Sequence, residues 1–140
     1  MIQLFEIQSR TENLKVIREQ IRPLLRAAGF GSKDEESILV ALGEACTNAI
    51  RHSHLNIPDK IVKVTYEEDP LKIVLRIRDF GRKIDLTKIQ KPKLPPETSG
   101  GLGIYFMQTI MDAVEYNTAF NEGNELVLTK FKPSQKTNAR

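Results

Sequence analysis

Two hydrophobic periods divide this chain, and each keeps to its own stretches. In Leu71-Lys72-Ile73-Val74-Leu75-Arg76-Ile77-Arg78-Asp79, residues 71, 73, 75 and 77 are apolar and share one face, the alternation of a half-buried strand. Leu14, Ile17, Ile21, Leu24 and Leu25 instead recur at helical spacing. Read along the whole chain, the order is β-α-α-β-β-loop-α-β-β. Helices set apart from antiparallel strands predict an α+β fold. The expected architecture is a two-layer α/β sandwich, its mostly antiparallel mixed sheet covered on one face by helices.

The expected strands are 2–8, 60–67, 71–79, 112–118 and 124–131. Glu67-Glu68-Asp69-Pro70 and Glu122-Gly123-Asn124 form the turns between consecutive strands. Thr11 offers an N-cap for a first helix that reaches Gly29, with Pro23 kinking or tightening it. A second helix begins at Ser32 or Lys33, with Asp34, Glu35 and Glu36 suiting its dipole, and runs to about Ser53. Residues 80–99 are one long irregular stretch carrying Pro92, Pro95, Pro96, Lys83, Lys88, Lys91 and Lys93, and a loop of that length is often a lid or binding loop. A third helix opens at Gly100-Gly101-Leu102-Gly103 and ends near Met111. Residues 1–131 are expected as one domain and 132–140 as a mobile basic tail.

Composition narrows the function. A net charge of +3 and 6% aromatic residues lack the basic stripe or stacking platform of a nucleic-acid binder. No apolar run reaches membrane-spanning length, and the N-terminus lacks the apolar core of a signal peptide. The single cysteine, Cys46, sits among Leu42, Ala45, Ala49 and Ile50 and reads as a small buried residue, fitting a reducing, cytoplasmic setting. Two histidines and one cysteine support no transition-metal cluster.

Three short motifs carry chemistry. On the second helix, Ser37, Asn48, Ala41 and His52 fall at about 20, 40, 60 and 80° from Glu44, opposite the apolar stripe of Ile38, Leu39, Leu42, Ala45, Cys46 and Ala49. A face of small residues around one glutamate leaves room for a ligand. Asn48 supplies a neutral oxygen for a hard cation such as Mg²⁺, and Glu44 a base for a hydroxyl or water. The same residues also fit an ordinary exposed helix face. His52 fits packing, a helix end or ligand contact, and His54 a solvated or capping role.

Asp79 continues the apolar parity of its strand, so its carboxylate turns towards the core and needs donors. An adenine amine is one such donor, and a turn cap is the alternative. Gly81 would let backbone approach a flat ring. Thr98-Ser99-Gly100-Gly101-Leu102-Gly103 leads into an apolar helix, where backbone N–H groups bind phosphate well, although a plain loop-to-helix turn reads the same way.

In order, Glu44-x-x-x-Asn48, Asp79-x-Gly81 and Gly101-x-Gly103 resemble the motifs of the GHKL (Bergerat-fold) ATPases and, within them, the anti-sigma-factor serine/threonine kinases. The likeness is closest in Ala41-Leu42-Gly43-Glu44-Ala45-Cys46-Thr47-Asn48-Ala49-Ile50-Arg51-His52 and from Gly100 to Asp112, and in organisation it extends over residues 4–131. The resemblance implies Glu44 as general base, Asn48 as Mg²⁺ ligand and Asp79 as the aspartate that recognises the adenine amine, with Gly81 beside the ring. It implies a phosphate-contacting loop at Gly100, Gly101, Leu102 and Gly103. Thr129 is expected near the adenine-binding aspartate, or as a plain β-branched strand residue. Lys83 departs from the family pattern, which often has a small residue there.

Such proteins hold a sigma factor from RNA polymerase and phosphorylate a serine or threonine on a STAS-type anti-anti-sigma protein. ATP, Mg²⁺ and homodimer formation are implied for this chain on that basis, with an ATP-binding regulatory module lacking kinase activity as the alternative. The catalytic half of a histidine kinase is disfavoured, because the chain has no room for a phosphoacceptor helical hairpin.

Overall fold

The computed structural model describes residues 1–84 and 99–133. Its elements are β1 (Ile2–Gln8), α1 (Leu14–Ala27), α2 (Ser32–Asn48), β2 (Ile61–Glu68), β3 (Lys72–Arg78), α3 (Ser99–Ile110), β4 (Ala113–Asn117) and β5 (Glu125–Phe131). The strands form one sheet in the order β1-β2-β3-β5-β4, and all four pairings are antiparallel. The expected two-layer α+β fold is present, and no parallel pair occurs among the described residues.

Register aligns the core in rows. Phe5, Val64, Ile77, Leu126 and Tyr116 lie opposite one another across all five strands, as do Tyr66, Leu75, Leu128 and Val114 across four. Against this face pack Ile17, Ile21 and Leu25 of α1, Ile38, Leu39 and Leu42 of α2, and Met107 of α3. A fully buried side chain of this size contributes about 1.5–3 kcal/mol on leaving water. The other sheet face carries Lys72, Arg76, Glu115, Asn117 and Glu125, with Arg76 bonded to Glu67 at 2.8 Å. Arg22 and Arg26 of α1 clamp the buried Glu35 of α2, which holds its carboxyl below the usual range. An acid placed to suit a helix dipole is therefore also the polar tie between two helices.

Two helix boundaries differ from expectation. Thr11 does not cap α1; Thr11–Asn13 form a 3₁₀ turn, and α1 starts without a side-chain cap. Pro23 is exposed and the helix runs through it. The α-helical part of the second helix stops at Asn48, and Ala49–Ser53 form a π-helical turn, with the His54 N–H donating to Ala49 O at 2.8 Å. Such a turn shifts every later side chain off the α-helical spacing. His52 consequently lies exposed, its carbonyl accepting from Arg82 Nε at 2.7 Å.

His54 is neither solvated nor a helix cap. It is 1% exposed and joins three segments: Nδ1 lies 2.8 Å from Ser9 Oγ beyond β1, and Nε2 accepts the Phe80 N–H at 2.9 Å beyond β3. A ring nitrogen that accepts from an amide carries no proton, so the imidazole is neutral and Nδ1–H donates to Ser9. Burial lowers its pKa below the ordinary 6.5, against the pull of Asp79. A group that the fold keeps neutral contributes stability above its unfolded pKa and loses it as pH falls through the depressed folded value. Urea unfolding followed between about pH 7.5 and 5.5 should show stability falling with pH, and His54→Gln should flatten that slope. An unchanged slope in the variant contradicts this role.

Candidate functional site

α2 carries its chemistry on the side facing α3. Glu44 is half-buried and Asn48 is 8% exposed, with the buried Ala41 and half-buried Ser37 beside them. The small side chains that leave room on this face let α3 approach closely. At Gly103 a β-carbon would sit 2.9 Å from Glu44 Oε2 and 3.8 Å from Asn48 Oδ1. Two oxygens from one helix therefore converge on the first turns of another. Gly100, Gly101 and Leu102 lie in the first turn of α3, where backbone N–H groups have no partner within the helix.

Asp79 marks the other end of the site. It is 4% exposed, turned to the helix-covered face as strand parity predicts. Its Oδ1 accepts from Gly81 N–H at 3.2 Å, Asn124 N–H at 3.1 Å and Asn124 Nδ2 at 3.2 Å. Among the described residues its Oδ2 has only a longer approach from Asn124 Nδ2, at 3.4 Å. One carboxylate oxygen is thus saturated, and the other keeps acceptor capacity for a ligand N–H.

The glycines nearby have clear steric reasons. A β-carbon at Gly81 would collide with the Ser53 carbonyl, and one at Gly123 with the Asp79 carbonyl, where φ is also +77°. The Gly81 backbone packs on the π-helical turn, so its small size is required before any ring is considered. Lys83 donates to the carbonyls of Thr118, at 2.7 Å, and Phe120. Its departure from the family pattern therefore fastens the β4–β5 connection to the segment after Asp79.

Two site residues were missed in the sequence. Asn124 reads there as a turn residue, yet it is fully buried and bonds Asp79, Ser53 Oγ, the Arg82 carbonyl at 2.9 Å and the Ile84 N–H at 2.8 Å. Tyr116 of β4 faces α2 from the row next to Asp79 and Asn124. Burial pushes its phenol up to about 12, while Asn48 pulls it down and Asp79 pushes it up. It therefore lies between the Asn48 and Asp79 ends of the site.

Thr129 is not brought to this group. It pairs with Val74 and Ala113 and lines the outer sheet face with Arg76 and Val127, because Leu126 and Leu128 take the core parity of β5. The position expected for it beside Asp79 is held by Asn124. The lysines and prolines of 85–98 and the tail 134–140 lie outside the described residues.

The comparisons with known proteins agree with this architecture. Residues 7–130 match the model of the histidine kinase-like ATPase domain. The chain is 32% identical to the serine-protein kinase RsbW of Bacillus licheniformis over 134 residues, covering 88% of this chain and 81% of that protein. It is 30% identical to RsbW of Bacillus pumilus, covering 90% and 83%, and 27% identical to RsbW of Listeria innocua, covering 90% and 84%. In fold it resembles the histidine kinase domain of a blue-light-activated histidine kinase of Erythrobacter litoralis, with a TM-score of 0.56 and 19% identity over 94% of this chain and 64% of that one. The helix-covered antiparallel sheet, the ordered motifs and these matches together make the chain a member of the histidine kinase-like ATPase domain family, in its branch of RsbW serine-protein kinases.

Proposed function

We propose that this chain is an anti-sigma regulatory factor that transfers the γ-phosphoryl group of ATP to a serine or threonine hydroxyl of a STAS-type anti-anti-sigma partner. The observation that carries the reading is the convergence of Glu44 Oε2 and Asn48 Oδ1 on Gly103, at the N-terminal end of α3. A carboxylate, a neutral amide oxygen and the first-turn backbone N–H groups of a helix, brought close together, suit a phosphate chain and an attacking hydroxyl. The kinase names of the relatives point the same way. Binding of a sigma factor and pairing with a second copy complete the reading, on the family resemblance.

The residues present fit Mg²⁺. It takes hard oxygen ligands, usually one or two from protein with phosphates supplying more. Among the described residues no cluster of three or more His, Cys, Asp or Glu side chains forms a metal cage. Asn48 Oδ1 would be the ligand, and the bound ion would neutralise charge on the phosphates. Glu44 accepts the proton of the acceptor hydroxyl as its oxygen bonds to the γ-phosphorus and ADP leaves. The first-turn amides of α3, those of Gly100, Gly101 and Leu102, hold the phosphate oxygens, and Gly103 keeps the space beside Glu44 clear of a side chain. Asp79, oriented by Asn124, accepts from the adenine amine through Oδ2.

Incubation with labelled ATP and an anti-anti-sigma substrate tests the reaction. Glu44→Ala should lower transfer by about 10²–10⁴-fold while retaining ATP binding. Transfer at the wild-type rate sinks the assignment of the base, and tight ATP binding without transfer by the wild-type chain favours a non-catalytic regulator. Asp79→Asn should weaken ATP binding far more than GTP binding. Equal ATP affinity in that variant removes the adenine assignment.

A further inference from the structure

Asp79 opens a short segment whose backbone is fixed one amide at a time. The Asp79 N–H donates to the Asn124 carbonyl at 2.9 Å, the Gly81 N–H to Asp79 Oδ1 at 3.2 Å and the Arg82 N–H to the Ser53 carbonyl at 2.9 Å. Between them, the Phe80 N–H donates to His54 Nε2 at 2.9 Å. The other acceptors are oxygens, and this one is an imidazole nitrogen. The Phe80 N–H belongs to the same planar peptide unit as the Asp79 carbonyl and α-carbon. Holding that N–H therefore sets the plane from which the Asp79 carboxylate projects. The ring is itself held, because it is buried and its Nδ1 lies 2.8 Å from Ser9 Oγ. The π-helical turn Ala49–Ser53 brings Ser53 and His54 together against the segment, the carbonyl of one meeting Arg82 and the ring of the other meeting Phe80. Lys60 Nζ donates to the Phe80 carbonyl at 3.0 Å and secures the far side of that residue.

We propose that His54 is a positioning residue for adenine recognition, its Nε2 holding the Asp79–Phe80 peptide so that Asp79 Oδ2 stays aimed at the base amine. This rests on the reading of Asp79 as the adenine-binding group. A binding group performs only when neighbouring hydrogen bonds lock it to within about 0.5 Å of its productive geometry. An acceptor is needed at this point, because a buried N–H left without one is costly and its peptide would turn to find another. Ser9 selects the tautomer: with Nδ1–H donated to Ser9 Oγ, Nε2 keeps its lone pair for Phe80. A role confined to stability would act on every nucleotide alike, whereas a role in aiming Asp79 acts on adenine in particular.

The test compares ATP and GTP affinities of the full chain by titration calorimetry. His54→Phe keeps a ring and removes both nitrogens. It should lower the preference for ATP over GTP about tenfold, the scale of one lost buried hydrogen bond, with GTP affinity little altered. His54→Gln, whose amide oxygen can accept from Phe80 and whose amide nitrogen can donate to Ser9, should recover most of that preference. A wild-type preference in His54→Phe overturns the proposal, as does an equal loss of both nucleotides, the mark of a purely structural role. A loss in His54→Gln as large as in His54→Phe also overturns it. Nitrogen NMR of the unmodified chain is a second measurement, independent of how any variant folds. At neutral pH Nε2 should carry no proton, and a protonated Nε2 overturns the proposal. Asp79→Asn is the control for the underlying reading. If it leaves the preference for ATP intact, Asp79 does not read adenine. If it removes the preference while His54→Phe does not, the role of His54 alone has failed.

Discussion

A carboxylate buried at the end of β3 has to be met by donors, and much of the site is built around meeting that need. An unpaired buried charge is costly enough that folding would otherwise neutralise or expose it. Asn124 answers Asp79 with its backbone N–H and its side-chain amide, and Gly81 adds a third N–H. These contacts tie together the end of β3, the start of β5 and the turn that follows α2, because Asn124 Nδ2 also reaches Ser53 Oγ at 3.3 Å. Such closeness admits no β-carbon at Gly81 or Gly123. Local backbone, packing and ligand chemistry therefore meet at one node.

From that node the site extends along α2. Asp79 stands at one end and Glu44 with the start of α3 at the other, with Asn48 and Tyr116 between them. The helix supplies the spacing, since Glu44 and Asn48 are one turn apart on one face. The small residues of this face supply the room, and Gly103 fills it with backbone instead of a side chain. The sheet supplies rigidity, because Tyr116 and Asp79 occupy neighbouring rows. A site placed on regular elements in this way holds its geometry better than one built on loops.

The parts legible in the sequence are those that depend on periodicity. Strand alternation gave the inward turn of Asp79, and helical spacing gave the shared face of Glu44 and Asn48. The same alternation bears against Thr129, since Leu126 and Leu128 claim the core side of β5 and leave Thr129 outside. Asn124 was hidden because a Gly-Asn pair between strands reads as turn chemistry. His54 was hidden by the π-helical turn, which no α-helical wheel anticipates. Tyr116 was hidden because a tyrosine in a strand is ordinary β-propensity until a neighbour across the layers is known. Each omission concerns a tertiary contact that local pattern cannot report.

The most direct measurement of the central claim is backbone amide chemical-shift mapping of the full chain with Mg²⁺ and a non-hydrolysable ATP analogue. The largest changes should fall on Glu44, Asn48, Asp79, Gly81, Tyr116, Asn124 and the first turn of α3. Thr129 and Val127, on the outer face of the sheet, should change little. Changes centred on that outer face, with α2 and Asp79 undisturbed, would contradict the account.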